Sequence, residues 1–435
     1  MATITVDQQK LVLNAFAANF QNNLIAKDVV TWKQFDTEMD DRNGLKVSEQ
    51  VGPRYTITQT TNGVADLSSG VQDSVFGSEQ FTVNKTFGAS MGWGDFVKIR
   101  DIGEARESVA LKNAATNLAE QIDAYIFQVA AKASNNWVGT VGNNVATLGD
   151  VLKGYTRLKK EGVEDSDLRL VLSYDDKEAL ANTIVAYPAT DSLSTQAFRK
   201  GFEGEIGGIP TMFTQQLAPF TTGSRTASSA ALVNGASQNV NYKDVAVSGA
   251  PGQYLTQTFN LDTLTGSQTL KAGDVFTIAN VYAYDNRKQA AHTHLQQFVV
   301  VADATASSGA VTGVRIFPAI IVPGSGSGGD VNVNTAHATV DSAPADNAAI
   351  TFVGTASTTY LPRLLIQKSA LIVNTADLIL PATGTAQRKQ LTQLPLSIRM
   401  WQDSTFATGS HQVRFDVALT ANIHERRRIV RVNGA

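Results

Sequence analysis

Two histidines, His292 and His294, stand two residues apart, so on a strand they share a face and could offer two nitrogen ligands to a metal. No cysteine or nearby carboxylate completes a ligand set, which makes a loop or surface role the plainer reading. Gly201, Gly204, Gly207 and Gly208 have the density of a phosphate-binding loop. They lack the Lys-Ser/Thr ending and the order strand, loop, helix, so they read as turn and packing glycines. Asp36, Glu38, Asp40 and Asp41 could form a general acid/base pair or a cation site, yet Arg42 and Lys46 beside them fit a solvated, charge-balanced turn. Arg426, Arg427, Arg428 and Arg431 form the one basic run. It suits a polyanion, and equally it suits a sheet edge guarded against wrong strand pairing or paired with the acids of a neighbour. None of these sets amounts to a catalytic constellation, and neither a cofactor nor a metal is expected.

The elements that carry these residues belong to a chain of 435 residues, longer than one hydrophobic core sustains, so two or more lobes are expected. Charged residues make up 17% of it, below the roughly 25% of ordinary soluble domains, and the formal net charge is -3. A surface poor in charge invites cover by neighbours, and the slight acidity argues against a tight general grip on nucleic acid. The first residues show no basic stretch followed by an apolar one, and no run approaches the ~18 apolar residues of a membrane helix, so neither a secretory signal nor a membrane role is expected.

Leu13, Phe16, Phe20 and Leu24 recur at helical spacing behind a capping-box pair, Thr5 and Gln8, which predicts an amphipathic helix over about 6–27. The turn residues that follow suggest an arm reaching away from its own core. Tyr55 and Ile57, then Phe81 and Val83, alternate with polar partners on either side of a Gly- and Ser-rich stretch, the pattern of a long hairpin that needs a neighbour to lie on. From Arg106 to Ala133 no Gly or Pro intervenes, and Leu111, Ala115, Leu118, Ile122, Tyr125 and Val129 form the stripe of one long helix. A second helix over 147–161 stops at Gly162 and turns Val151, Leu152, Tyr155 and Leu158 inward; a strand over 168–172 and a helix capped by Ser173 and Asp176 come next. After Gly223 the composition shifts to Ser, Thr, Gly and Val, with short β-prone runs up to the linker PGSGSGGD, an all-β module inserted into an α+β lobe. LSIRMW, VRFDVALT and RRIVRV close the chain as a sheet suited to pack on the long helix.

This order of elements resembles the Hong Kong 97-type capsid fold of tailed phages and encapsulins, and within it the P22-like coat proteins that carry an inserted β-barrel. The residues that carry the resemblance are GEARESVALKNAATNLAEQIDAYI for a spine helix, LRLVLSYDDKEAL and GEIGGIPTMFTQQLAPFT before the insertion, and LKAGDVFTIANV with LQQFVVVADATASSGAVTGVRIFPAIIV inside it. RFDVALTANIHERRRIVRVNG completes it at the end. The resemblance implies an α+β fold with an N-terminal arm over 1–30 and an extended loop over 31–100. It implies a peripheral domain over 101–160 and 381–435, an axial domain over 161–222 and 331–380, and a barrel over 223–330.

The function implied is that of a non-enzymatic major capsid protein. Copies assemble into pentamers and hexamers of an icosahedral head in the host cytoplasm, with a scaffolding protein and a portal as partners, around double-stranded DNA touched weakly and without sequence preference. The sharper hypothesis for Asp36, Glu38, Asp40 and Asp41, set against the solvated turn, is a contact with basic residues of a scaffolding protein. A lumen-facing role for Arg426, Arg427, Arg428 and Arg431 stands level with the sheet-edge role, and Lys85 lies on the loop where some relatives form a covalent crosslink, with no catalytic partner evident beside it. The segment 245–253, where relatives carry a charged loop between capsomers, is nearly uncharged. An encapsulin-type compartment is the alternative, and a β-rich surface adhesin a more distant one. If Leu13, Phe16, Phe20 and Leu24 are buried on a neighbouring copy, the arm contributes ~6–12 kcal/mol gross. Association costs about 4–15 kcal/mol, so closure must rest on many weak contacts. On this reading a chain lacking residues 1–27 folds as a monomer and makes no shells.

Overall fold

The computed structural model describes residues 6–39, 45–56, 73–92, 109–185, 204–225, 227–382, 384–405 and 410–435. The chain divides into two compact units, each built from segments far apart in sequence.

The first unit gathers Met1–Val47, Phe81–Val129 and Leu371–Asn422. Its sheet runs in the order Thr31–Met39, Leu371–Leu378, Ser410–Ile423, Ser397–Thr405, Thr385–Gln390, and Thr86–Gly92 also pairs with Ser410–Ile423. Leu371–Leu378 is buried at all but one position, as befits a strand with partners on both edges and cover on both faces. Thr31–Met39 lies parallel to it, with Thr31 beside Ile372 and Met39 beside Leu378, and the register slips between Phe35 and Glu38. Asp36 and Glu38 therefore stand on an irregular strand, not in the turn expected of them. Asp40 and Asp41 lie outside the described residues. The helices Val6–Asn23 and Val109–Ala133 match the expected ones to within a few residues, and the stripe of the long helix is buried at Leu111, Ala115, Leu118 and Ile122.

The second unit gathers Ser48–Gln80, Ala130–Ala370 and Ile423–Ala435. Its sheet has the order Asn136–Val138, Ile429–Val432, Arg363–Gln367, Leu168–Leu172, Ile209–Phe213, Gly204–Ile206. Helix Leu148–Lys160 packs on it so closely at Gly154 that a Cβ there would come within 2.7 Å of Val432. Thr147 and Asp150 form its capping box, and Gly162, at φ +77°, ends it in the left-handed conformation that favours glycine. Val151 and Leu158 point inward as expected, whereas Leu152 is exposed. Gly201 lies outside the described residues; Gly207 and Gly208, at φ +61° and +77°, turn the chain between two strands, so Gly204, Gly207 and Gly208 belong to a hairpin and not to a phosphate loop.

The inserted module is a closed barrel of six strands in the order Ala227–Val233, Gln257–Leu264, Val311–Phe317, Ala290–Val300, Val275–Asp285, Ala349–Phe352. Phe259, Phe276 and Phe298 meet at its centre with ring separations of 6.0 and 5.6 Å. The last strand lies beyond residue 330, where the linker suggested that the module ends. Only four residues long, it bridges Ala227–Val233 to Val275–Asp285 and closes the cylinder. A fragment of residues 223–330 is accordingly expected to lack a cooperative thermal unfolding transition, and one of residues 223–357 to show it. A cooperative transition in the shorter fragment would contradict the closure.

Candidate functional site

The residues expected at subunit contacts begin with the leading helix. Leu13, Phe16, Phe20 and Leu24 are all buried within the first unit, none more than 2% exposed. Phe16 stacks on Phe415 at 4.0 Å with the rings 5° from parallel. Gln9 and Asn14 bond Gln402 and Lys389, and the carboxylate of Asp123 on the long helix accepts the backbone N–H groups of Ile25 and Ala26 at 2.9 Å each. The helix is part of the fold of its own chain, which corrects the expectation of an arm buried on a neighbour. The apolar stripe demanded cover, and Phe415 with the sheet around it supplies that cover from the far end of the same chain.

The extended-loop residues separate. Tyr55 lies past the strand Leu45–Val51, exposed, with its hydroxyl 2.8 Å from Ser74 Oγ, and Ile57 falls outside the described residues. Phe81 and Val83 are buried on the strand Gly77–Val83, Val83 against Ala376, Leu378 and Ala418. Lys85 Nζ sits 4.3 Å from the centre of the Tyr125 ring, a cation–π contact inside its own unit. The sequence reading missed Glu79, although its signal was present: the alternation that buries Phe81 and Val83 puts Glu79 on the same face. Its carboxylate accepts the N–H groups of Gly252 (2.5 Å) and Tyr254 (2.9 Å), and burial pushes it up to about 7. Ser78 N–H donates to Ala246 O at 2.8 Å, and Ser248 N–H donates to Ser78 O at 2.9 Å. The uncharged segment 245–253 is thus docked on the base of the loop strand.

The basic run is drawn into the second unit, with Arg426 and Arg431 buried and Arg427 and Arg428 half-buried. Arg431 is fully buried between Trp137 (4.6 Å) and Phe220 (5.2 Å), donating from Nη2 to Ser134 O and Gly273 O. Burial lowers its pKa to about 9, with Asp274 opposing the shift and Arg225 adding to it, and the Arg225–Asp274 pair itself closes at 2.8 Å. Arg426 is buried as well and donates to Gly252 O at 2.9 Å. Arg427 grips Glu425 through two bonds of 3.1 Å, and Arg428 donates to Ser369 Oγ at 2.8 Å. Burial works against the charge of Glu425, but Arg427, Arg428 and Arg54 overcome it and hold this carboxyl down to about 2. Strand Ile429–Val432 is paired on both sides, so it is not the exposed edge that the arginines were expected to guard.

His292 and His294 stack at 5.0 Å, His292 Nε2 lies 3.2 Å from Lys160 O, and among the described residues no cluster of His, Asp and Glu could hold a metal. What remains is a pair of folded units in which the charged groups singled out from the sequence are largely engaged within their own unit. A family model described as "P22 coat protein - gene protein 5" matches residues 1–429. The chain belongs to the P22 coat protein family. It is therefore a major capsid protein, a structural subunit that assembles with its own copies into a phage shell and resides in the virion. Its α+β architecture with a closed six-stranded barrel is the class expected from its residues.

Solved structures similar to this coat protein include that of Mycobacterium phage Che8, 8% identical over 91% of this chain and 87% of that one, with a TM-score of 0.40. The capsid of cyanophage P-SCSP1u is 8% identical over 95% and 88%, with a TM-score of 0.41. The CUS-3 coat protein I-domain is 24% identical over 30% of this chain and 99% of that one, with a TM-score of 0.21. No curated protein matches.

Two outcomes follow for the leading helix of this coat protein. Phe16→Ala should destabilise the unassembled chain by about 3–5 kcal/mol in urea, and removing residues 1–27 should unfold the first unit instead of leaving a folded monomer. A loss under about 1 kcal/mol would return the helix to a neighbouring subunit. Burial also pushes Asp123 up to about 7, against the pull of its two backbone N–H donors. The ionised form is the penalised one, so this stability is complete below the ordinary carboxyl range and fades as pH rises through about 7. The melting temperature should fall between about pH 5 and about pH 8, and Asp123→Asn should flatten that fall. An equal fall in both chains would remove Asp123 as its cause.

Proposed function

We propose that this coat protein forms pentamers and hexamers of an icosahedral head around double-stranded DNA, built in the host cytoplasm with a scaffolding protein and a portal as partners. The family match over residues 1–429 carries this reading. We read the first unit as the peripheral domain with its spine helix, and the second as the axial domain with its barrel. The self-contained leading helix moves the work of assembly to surfaces that a single chain leaves open. Tyr55 at the entry to the extended loop is 53% exposed, and the apolar side chains of Leu148, Leu152 and Tyr174 on the second unit are each at least 40% exposed. Four such groups, buried at roughly 1.5–3 kcal/mol each, balance the cost of association without overwhelming it, which keeps assembly reversible enough to correct errors.

Contact with DNA is weak and non-specific in this proposal. Net charge is -3, Arg426 and Arg431 are buried and Arg427 is paired with Glu425, so little counterion release is available along the wall. The acids Asp36, Glu38, Asp40 and Asp41 remain the proposed contact for basic residues of a scaffolding protein. Electron microscopy of the purified coat protein is expected to show closed icosahedral particles with capsomers of five and six subunits. Monomers or open sheets under every assembly condition, with scaffolding protein present, would overturn the proposal.

A further inference from the structure

A cavity of about 230 Å³ opens in the second unit beside the entry to the extended loop, and its wall carries four arginines, Arg54, Arg287, Arg427 and Arg428. The carboxylates on the same wall do not neutralise them all. Glu425 is engaged by both bonds of Arg427, and Glu161 is paired with Arg157, outside the cavity, at 3.6 Å. Glu164 is exposed to solvent. Arg287 donates to Gly162 O and Arg428 to Ser369 Oγ, both neutral acceptors at 2.8 Å. Arg54 and Arg428 share the field of Glu425 with Arg427, the one bonded to it, and Asp285 accepts only the backbone N–H of Arg287. Arg54 is crowded by a like charge: Arg427, more than burial, lowers its pKa.

We propose that this cavity is an oxyanion site, shaped for a phosphate-sized group held between the guanidiniums of Arg54, Arg287 and Arg428. Each guanidinium keeps N–H donors that no described group accepts, and forked N–H pairs match the spacing of phosphate oxygens. A phosphate with about 1.5 to 2 negative charges offsets the arginines that share Glu425 better than that one carboxylate does alone. The bound anion ties three stretches of the second unit together: Arg54 after the strand Leu45–Val51, Arg287 at the turn between barrel strands Val275–Asp285 and Ala290–Val300, and Arg428 before the last strand. Free phosphate and the backbone phosphates of a nucleic acid share this chemistry.

The test is the melting temperature of the full-length chain titrated with inorganic phosphate, against sodium chloride of equal ionic strength. A saturable rise is expected. Arg287→Gln and Arg54→Gln, both at exposed positions, should each weaken the apparent affinity about tenfold or more, while circular dichroism confirms the native fold. Displacement of phosphate by a short oligonucleotide assigns the site to a nucleic-acid backbone, and failure to displace it assigns it to the free anion. No saturable rise, an equal rise in the variants, or an equal rise with succinate would overturn the site.

Discussion

The strand Leu371–Leu378 sets the terms for the first unit. It is buried on nearly every residue, so it needs cover on both faces and a partner on both edges. The partners come from opposite ends of the chain, Thr31–Met39 on one side and Ser410–Ile423 on the other. The unit cannot close until the chain has nearly ended. Once it closes, Phe415 stands ready for Phe16, and the leading helix becomes part of the cover of the sheet. An amphipathic segment that looked free to exchange between copies is held by a stacking contact inside its own unit.

The same economy governs charge. A chain with only 17% charged residues places several of them inside: Asp416 between Arg399 and Arg414, Asp274 with Arg225 beside Arg431, and Glu79 on the loop strand. Such pairs add little net stability, because desolvation offsets most of their attraction, but removing one partner costs several kcal/mol, about 3–5. They specify one arrangement. For a subunit whose copies must meet many neighbours through weak contacts, firmly specified units with few charges allow close approach with little desolvation cost.

Much of this architecture was legible. The absence of Gly and Pro along Val109–Ala133, the Thr147 and Asp150 cap, the stop at Gly162 and the alternating barrel strands are local signals, and local physics decides them. The partners were not legible. An apolar stripe on a helix states that Phe16 is buried and says nothing of which copy buries it. Arginine in RRIVRV looks solvent-facing until Trp137 and Phe220, brought from distant positions, are seen to sandwich Arg431. The closing barrel strand Ala349–Phe352 is too short for a periodic signal, so the module appeared to end at its glycine-rich linker.

The central claim is that each subunit completes its own core, leading helix included, before it meets another. Hydrogen exchange on unassembled and assembled coat protein tests this most directly. The amides of residues 12–24 should be protected in the unassembled chain nearly as well as in the shell. Rapid exchange there that slows only when particles form would contradict the account and make the helix an exchanged arm after all.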